Sequence, residues 1–337
     1  PGFNLATANL YLNVQLAPGV RVAMTTFLSS RHHPDAWVKD GYLLIDASPI
    51  AVPALESLME YVTVKTGHFE INYGDAHFRR TDNAGAFFNP FVGNYIMDAF
   101  TTEIGGEVYV RADGWLGMVG VTGGEINGSV TRPDERAPSF LGKLGFDREL
   151  NDDLRVRLTG SLYTTSSSLN NTLYGGDRAG SRYYLVMENT QASTGSNFTS
   201  GRINPGLRDN VTAFMVNPFV KAGGLELFGL YERASGASDG EAEERTWNQY
   251  AADAVYRFLT DERLYLGARY NAVAGELIGS GREVGIDRVQ LAAGWFVTPT
   301  LLLKSEYVNQ RYDDFPAADI RSGGSFDGIV VEGVVSF

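Results

Sequence analysis

Polar and apolar residues alternate one by one along most of this chain. From Leu154, Arg155, Arg157, Thr159 and Ser161 hold one register while Val156, Leu158, Gly160 and Leu162 hold the other. From Arg263, Tyr265, Gly267, Arg269 and Asn271 oppose Leu264, Leu266, Ala268 and Tyr270. The same reading holds from Gln249, with Asp253 and Arg257 on one side, and from Asp287, with Arg288 and Gln290. Successive side chains of a strand point to opposite faces, so these stretches are strands with one greasy and one polar face. Helical periodicity is almost absent, and Pro53–Tyr61 is the one segment that predicts a helix. The closing DGIVVEGVVSF places Ile329, Val331, Gly333, Val335 and Phe337 on one face and Glu332 on the other.

Two adjacent arginines on one strand face are costly in a dry protein core. They cost little where that face lines water. Many of the apolar faces begin or finish on Tyr, Trp or Phe, the arrangement of aromatic girdles at the two interfaces of a membrane.

The connections add a second regularity. Tight turns are predicted at Pro18-Gly19, Asp113-Gly114, Asn151-Asp152, Gly223-Gly224, Asp261-Glu262 and Pro299-Thr300. Longer polar connections fall between them, near Arg31–Asp35, Gly74–Thr101, Asn127–Ala137, Ser168–Arg208, Ser235–Glu244, Ile278–Gly285 and Asp314–Ser325. Short and long alternate, with Ala47–Tyr61 the one irregular member of the short side. Strict alternation of this kind belongs to an all-β, up-and-down antiparallel transmembrane β-barrel with short periplasmic turns and long external loops. Sandwiches and propellers give no reason for it. About 15 strands are visible, whereas a barrel of this type normally has an even number, about 16. The expectation is therefore that a first N-terminal strand, with a signal peptide before it, is missing from this sequence. A true N-terminus at Pro1 and a strand hidden in Ser181–Glu188 are the competing explanations. Residues 1–337 form a single barrel domain on this reading.

Composition narrows the function. The 337 residues carry a net charge of −12, which disfavours a nucleic-acid partner. No cysteine is present, so disulfides, thiol catalysis and cysteine-based zinc sites are excluded. No apolar run reaches the roughly 18–20 residues of a transmembrane helix, a test that is blind to barrels. The four histidines (His32, His33, His68 and His77) lie in the first quarter of the chain, with no nucleophile-elbow motif near them. An enzyme is not expected, and neither a cofactor nor a histidine-based metal site. Asp313, Asp314 and Asp319 could hold calcium in an outer loop, with solvated acidic residues as the plainer reading.

The final strand closing on Phe337, the alternating strands and the turn-loop alternation resemble a bacterial outer-membrane porin. Phe337 is similar to the terminal aromatic assembly signal of such proteins. The segment from Val62 to Ile96, with Gly67-His68-Phe69 followed by Gly74, resembles the phosphate-selective porin family, where a "G-(R/H)-F-x-x-x-x-G" strand leads into a loop that folds into the channel. The dense arginine and lysine ladders and the lysine cluster of that family have no comparable counterpart here. The resemblance implies a location in the bacterial outer membrane, contact with its lipid and lipopolysaccharide, and a homotrimer. Glycine-rich walls at Gly105-Gly106 and Gly117 to Gly124 would permit close contact between barrels.

Residues 74–101 are expected to fold inward as a constriction loop. The run Phe87-Phe88-Asn89-Pro90-Phe91 would pack against the wall, and Arg79, Arg80 and Asp82 would line the narrowing. The alternative is that this loop caps the rim or covers a neighbouring subunit. Residues 168–208 are expected to form a long external loop. Arg155, Arg157, Arg257, Arg263, Arg269, Lys304 and Glu306 are expected on the lumen wall, most of them wetting the pore or pairing with nearby acids rather than forming a selective ladder. The function so predicted is passive diffusion of small hydrophilic solutes or ions through a water-filled barrel. The alternative is a structural or interaction barrel, plugged by its own loops or anchoring a partner.

Overall fold

The computed structural model describes residues 7–29, 35–81, 85–123, 136–168 and 170–337. The first strands are β1 (Thr7–Ala17), β2 (Val20–Ser29), β3 (Trp37–Ile45), β4 (Val62–Glu70) and β5 (Thr102–Ala112). Next come β6 (Trp115–Thr122), β7 (Ser139–Asn151), β8 (Leu154–Thr165), β9 (Asn210–Ala222) and β10 (Leu225–Ala237). The last five are β11 (Arg245–Phe258), β12 (Leu264–Glu276), β13 (Glu283–Thr298), β14 (Leu301–Asp313) and β15 (Ser325–Val335). All 15 form one sheet in chain order, each antiparallel to its sequence neighbour. The expected turns fall where the alternation placed them. At Asp113-Gly114 both residues have positive φ, 49° and 83°, the backbone of a tight hairpin turn whose twist matches the strands it joins. The predicted helix is α1 (Pro53–Met59), with proline in its first turn and Glu56 beside its N-terminus.

The two faces of the sheet differ completely. The outer face carries exposed Leu10, Val119, Leu144, Leu266, Leu291, Ile329 and Val331, the last three at 52%, 75% and 72% exposure. Near the short-turn ends, Trp115, Tyr256, Trp295 and Phe337 all stand exposed on this face. Water would drive such a surface into contact with something apolar, and a ring of amphipathic aromatics at one end marks a membrane interface. The last strand sits as expected, with Glu332 turned inward and paired to Lys304 at 2.7 Å.

Odd-numbered strands share one direction, so the edges β1 and β15 run the same way. Arg182 bridges them from inside, its Nε 3.2 Å from Glu332 on β15 and its Nη2 3.4 Å from Thr7 Oγ1 on β1. Among the described residues no ladder joins these edges.

Candidate channel interior

Two connections turn inward against the concave face. The first, residues 71–101, follows β4, which ends at Glu70, and nearly all of its described residues are buried. Its backbone is held by side chains from strands all round the wall. Asn72 donates its amide to Glu107 of β5 (2.8 Å), Asp75 to Asn217 of β9 (2.7 Å) and Met97 to Gln249 of β11 (3.0 Å). Ile96 donates to Asn271 of β12 (2.8 Å), while Val92 and Gly93 donate to Glu306 of β14 at 2.8 and 3.2 Å. Irregular backbone can lie at membrane depth only when such partners satisfy it.

The second inward segment, residues 170–209, was expected outside. Instead Leu173, Tyr174, Ala179, Tyr183, Ile203 and Leu207 are buried, and Tyr174 and Tyr183 donate to the wall acids Glu232 (2.8 Å) and Glu306 (2.6 Å). The reason is its apolar content, which has no period but needs cover. Residues 185–199 of this segment are mostly half-buried or exposed. Ser181–Glu188 is not a strand.

The residues proposed for the constriction are placed differently from one another. Arg79 is half-buried, its guanidinium 4.6 Å from the Phe228 ring centre. Arg80 is 1% exposed and faces no water; it pairs with Asp98 at 2.6 Å and Asp177 at 3.1 Å. Asp82 lies outside the described residues.

Most of the proposed wall charges do face inward, but several meet protein rather than water. Arg269 is buried, bidentate to Asp253 at 2.7 and 2.8 Å, and stacked on Phe91 and Tyr95. Lys304 is buried against Glu332 and the carbonyls of Ala86, Asn89 and Phe91. Glu306 is 0% exposed. Arg155 pairs with Asp147 at 2.7 Å, Arg157 with Asp147 and Asp75, and Arg257 with Glu226 at 2.7 Å. Arg263 departs from the expectation: it stands in the turn before β12, exposed at the rim. Asp319 closes on Arg321 at 2.7 and 2.9 Å, and no cluster of three acidic or histidine side chains among the described residues is arranged for a metal ion.

Beside the first segment a cavity of about 590 Å³ remains, against the inner face of β1–β5. Tyr11, Tyr42, Lys65, Glu70, Tyr109 and Arg111 are among its lining. A bulge in the β2–β3 ladder between Thr25 and Thr26 skips Lys39, so Lys39 is buried beneath Phe27 and Phe100 while its neighbour Asp40 lines the cavity.

The architecture has counterparts among solved structures. The anion-selective porin from Comamonas acidovorans matches with a TM-score of 0.59 at 11% identity, over 97% of this chain and 88% of that one. The outer membrane channel DcaP of Acinetobacter baumannii matches with 0.59 at 13% identity, over 98% and 84%. The fold is that of outer-membrane β-barrel proteins. OmpT of Vibrio cholerae, an outer membrane protein in its trimer form, matches with 0.57 at 12% identity, over 98% and 90%. No protein-family model matches the sequence, and neither does any curated protein. Identities this low carry the fold alone.

Sequence reasoning missed Glu103, Glu107, Lys143 and Glu232, all 2% exposed or less. Their signal was present as polar positions in otherwise apolar alternation. Asp98, Asp177 and Arg202 lie in irregular segments and had none.

Proposed function

We propose that this chain is an outer-membrane channel through which small hydrophilic solutes diffuse passively. The carrying observation is the cavity of about 590 Å³, polar and charged, lying between β1–β5 and the first inward segment within an apolar-belted sheet. The path would be off-centre, and the first segment would be its constriction, with the cavity charges Asp40, Glu70 and Arg111 meeting the solute and Arg79 turned away toward Phe228 of β10. Arg155, Arg157 and Arg257 would line the wall away from that path. The porin and channel named among the similar structures support this reading, as does the trimer form of OmpT for assembly. Contact between copies would use β5–β8, where Gly106, Gly117, Gly142 and Gly160 flatten the outer face. A strand antiparallel to both β1 and β15 would complete the ring. The interior lysines argue against a phosphate preference: Lys39, Lys65, Lys143 and Lys304 are all engaged, Lys65 by Glu70 O and Glu107.

One observation favours a second reading, that of a plugged structural barrel: the interior beside β9–β14 is filled. Planar-bilayer recording separates the two. Stepwise single-channel conductance that rises when residues 85–93 are deleted supports the channel, and a folded barrel that stays silent in both forms supports the plug.

A further inference from the structure

The two inward segments are joined by a ring of four buried charges. Arg80 and Asp98 come from the first segment, Asp177 and Arg202 from the second. Arg80 pairs with Asp98 (2.6 Å) and Asp177 (3.1 Å), and Arg202 pairs with Asp98 (3.1 Å) and Asp177. All four side chains are at most 4% exposed. Each segment therefore brings one cation and one anion already in contact with each other. If the segments part, the ring divides into two neutral pairs, and none of its four charges is left without a partner. That is unlike the usual buried ion pair, whose separation strands a charge.

The wall repeats this asymmetry. Glu232 touches Tyr174 of the second segment, yet keeps Tyr73 (3.1 Å) and Gln249 (3.2 Å) without it. Glu306 touches Tyr183, yet keeps the amides of Val92 and Gly93 and the side chain of Gln290 (2.9 Å). Glu332 touches Arg182, yet keeps Lys304. Arg288 touches Gly201 O, yet keeps Gln310 (2.6 Å) and Asn94 O (2.6 Å). The first segment has no such independence. Buried Lys143 is held by Asn72 Oδ1, Gly74 O and Asp75, all on that segment.

We infer that residues 171–208 form a displaceable plug over a fixed constriction, latched by the Arg80–Asp98–Asp177–Arg202 ring, so that the channel has a second, wider state. The inference rests on the channel reading above. Thr101 and Thr172 face each other across the two segments, their hydroxyl oxygens 2.6 Å apart, and the chain has no native cysteine. A Thr101→Cys/Thr172→Cys variant can therefore be locked by oxidation and released by reductant. Full-length protein reconstituted in planar bilayers should step between two levels, the upper at least about twofold larger. Oxidation should abolish the upper level and reductant restore it. Asp177→Ala/Arg202→Ala, which removes the second segment's two ring charges as a neutral pair, should lengthen the time spent in the upper level. A conducting protein with one level, unchanged by oxidation and by the double substitution, overturns the plug and leaves the channel standing. A wild type silent until Asp177→Ala/Arg202→Ala is made supports the plug and overturns constitutive diffusion. Silence of every form, with the barrel folded by circular dichroism, overturns both.

Discussion

Asp75 offers the sharpest test of whether the first inward segment is fixed to the wall. Its carboxylate accepts Arg157 at 2.7 and 3.0 Å, Lys143 at 2.7 Å and Thr159 at 2.9 Å. In Asp75→Ala, Arg157 keeps Asp147 at 2.9 Å and is 22% exposed, so water and a second acid compensate it. Lys143 is 0% exposed at its side chain and keeps two neutral acceptors, Asn72 Oδ1 and Gly74 O. Removing one partner of a buried pair costs about 3–5 kcal/mol, and those two acceptors place this case near the lower end, about 3 kcal/mol. Asp75→Ala/Lys143→Met removes the stranded ammonium and should recover at least about half of that loss. The assay is equilibrium chemical unfolding in lipid vesicles, followed by tryptophan fluorescence. Burial favours the neutral acid, but Arg157 and Lys143 outweigh it and hold the Asp75 carboxyl well below the usual range. A depressed carboxyl contributes stability above its unfolded value, about 3.9, and loses it as pH falls toward the folded one. The gap between wild type and Asp75→Ala should thus stay level from about pH 5 to about pH 8 and narrow only below about pH 4. A loss under about 1 kcal/mol, or a double variant no better than the single one, would refute the anchoring argument.

Two further outcomes follow from the faces of the sheet. Leu144, 74% exposed in mid-β7, should cost about 2–4 kcal/mol as Leu144→Arg if lipid covers the outer face, read by the same vesicle unfolding. Arg269→Ala should cost about 3–5 kcal/mol because Asp253 is left with Tyr95, whereas Arg263→Ala at the rim should stay within about 0.5 kcal/mol.

Strands, turns and faces were legible because each rests on a local rule. Period-2 alternation located β8, β12 and β13, and Asp113-Gly114 and Gly223-Gly224 fell in hairpin turns as their backbone freedom requires. The inward course of 171–208 was not legible. Ser, Asn and Gly give an inward loop and an external loop the same composition, and buried Leu173, Tyr174 and Tyr183 follow no period that would expose them as a core. Arg263 was misplaced for a smaller reason: its register is that of Arg269, but the strand starts one residue later.

An inner-facing arginine looks the same in sequence whether it meets water or a carbonyl oxygen, so charge could not tell an open interior from a filled one. Amides could have. Irregular backbone needs partners that both donate and accept, which carboxylates and ammonium groups cannot provide alone. Gln249 does both, taking the Met97 amide at 3.0 Å and donating to the Met97 carbonyl at 2.6 Å. Asn217 and Asn271 accept from Asp75 and Ile96, and Gln310 donates to Gly201. These residues all stand on β9–β14, where the segments press on the wall. Of the strands that face the cavity, β2–β5 contain no asparagine or glutamine; β1 alone carries them, and its Asn13 lines the cavity. On the filled side of this barrel amides hold irregular backbone to the wall; β2–β5, which carry none, border the open space.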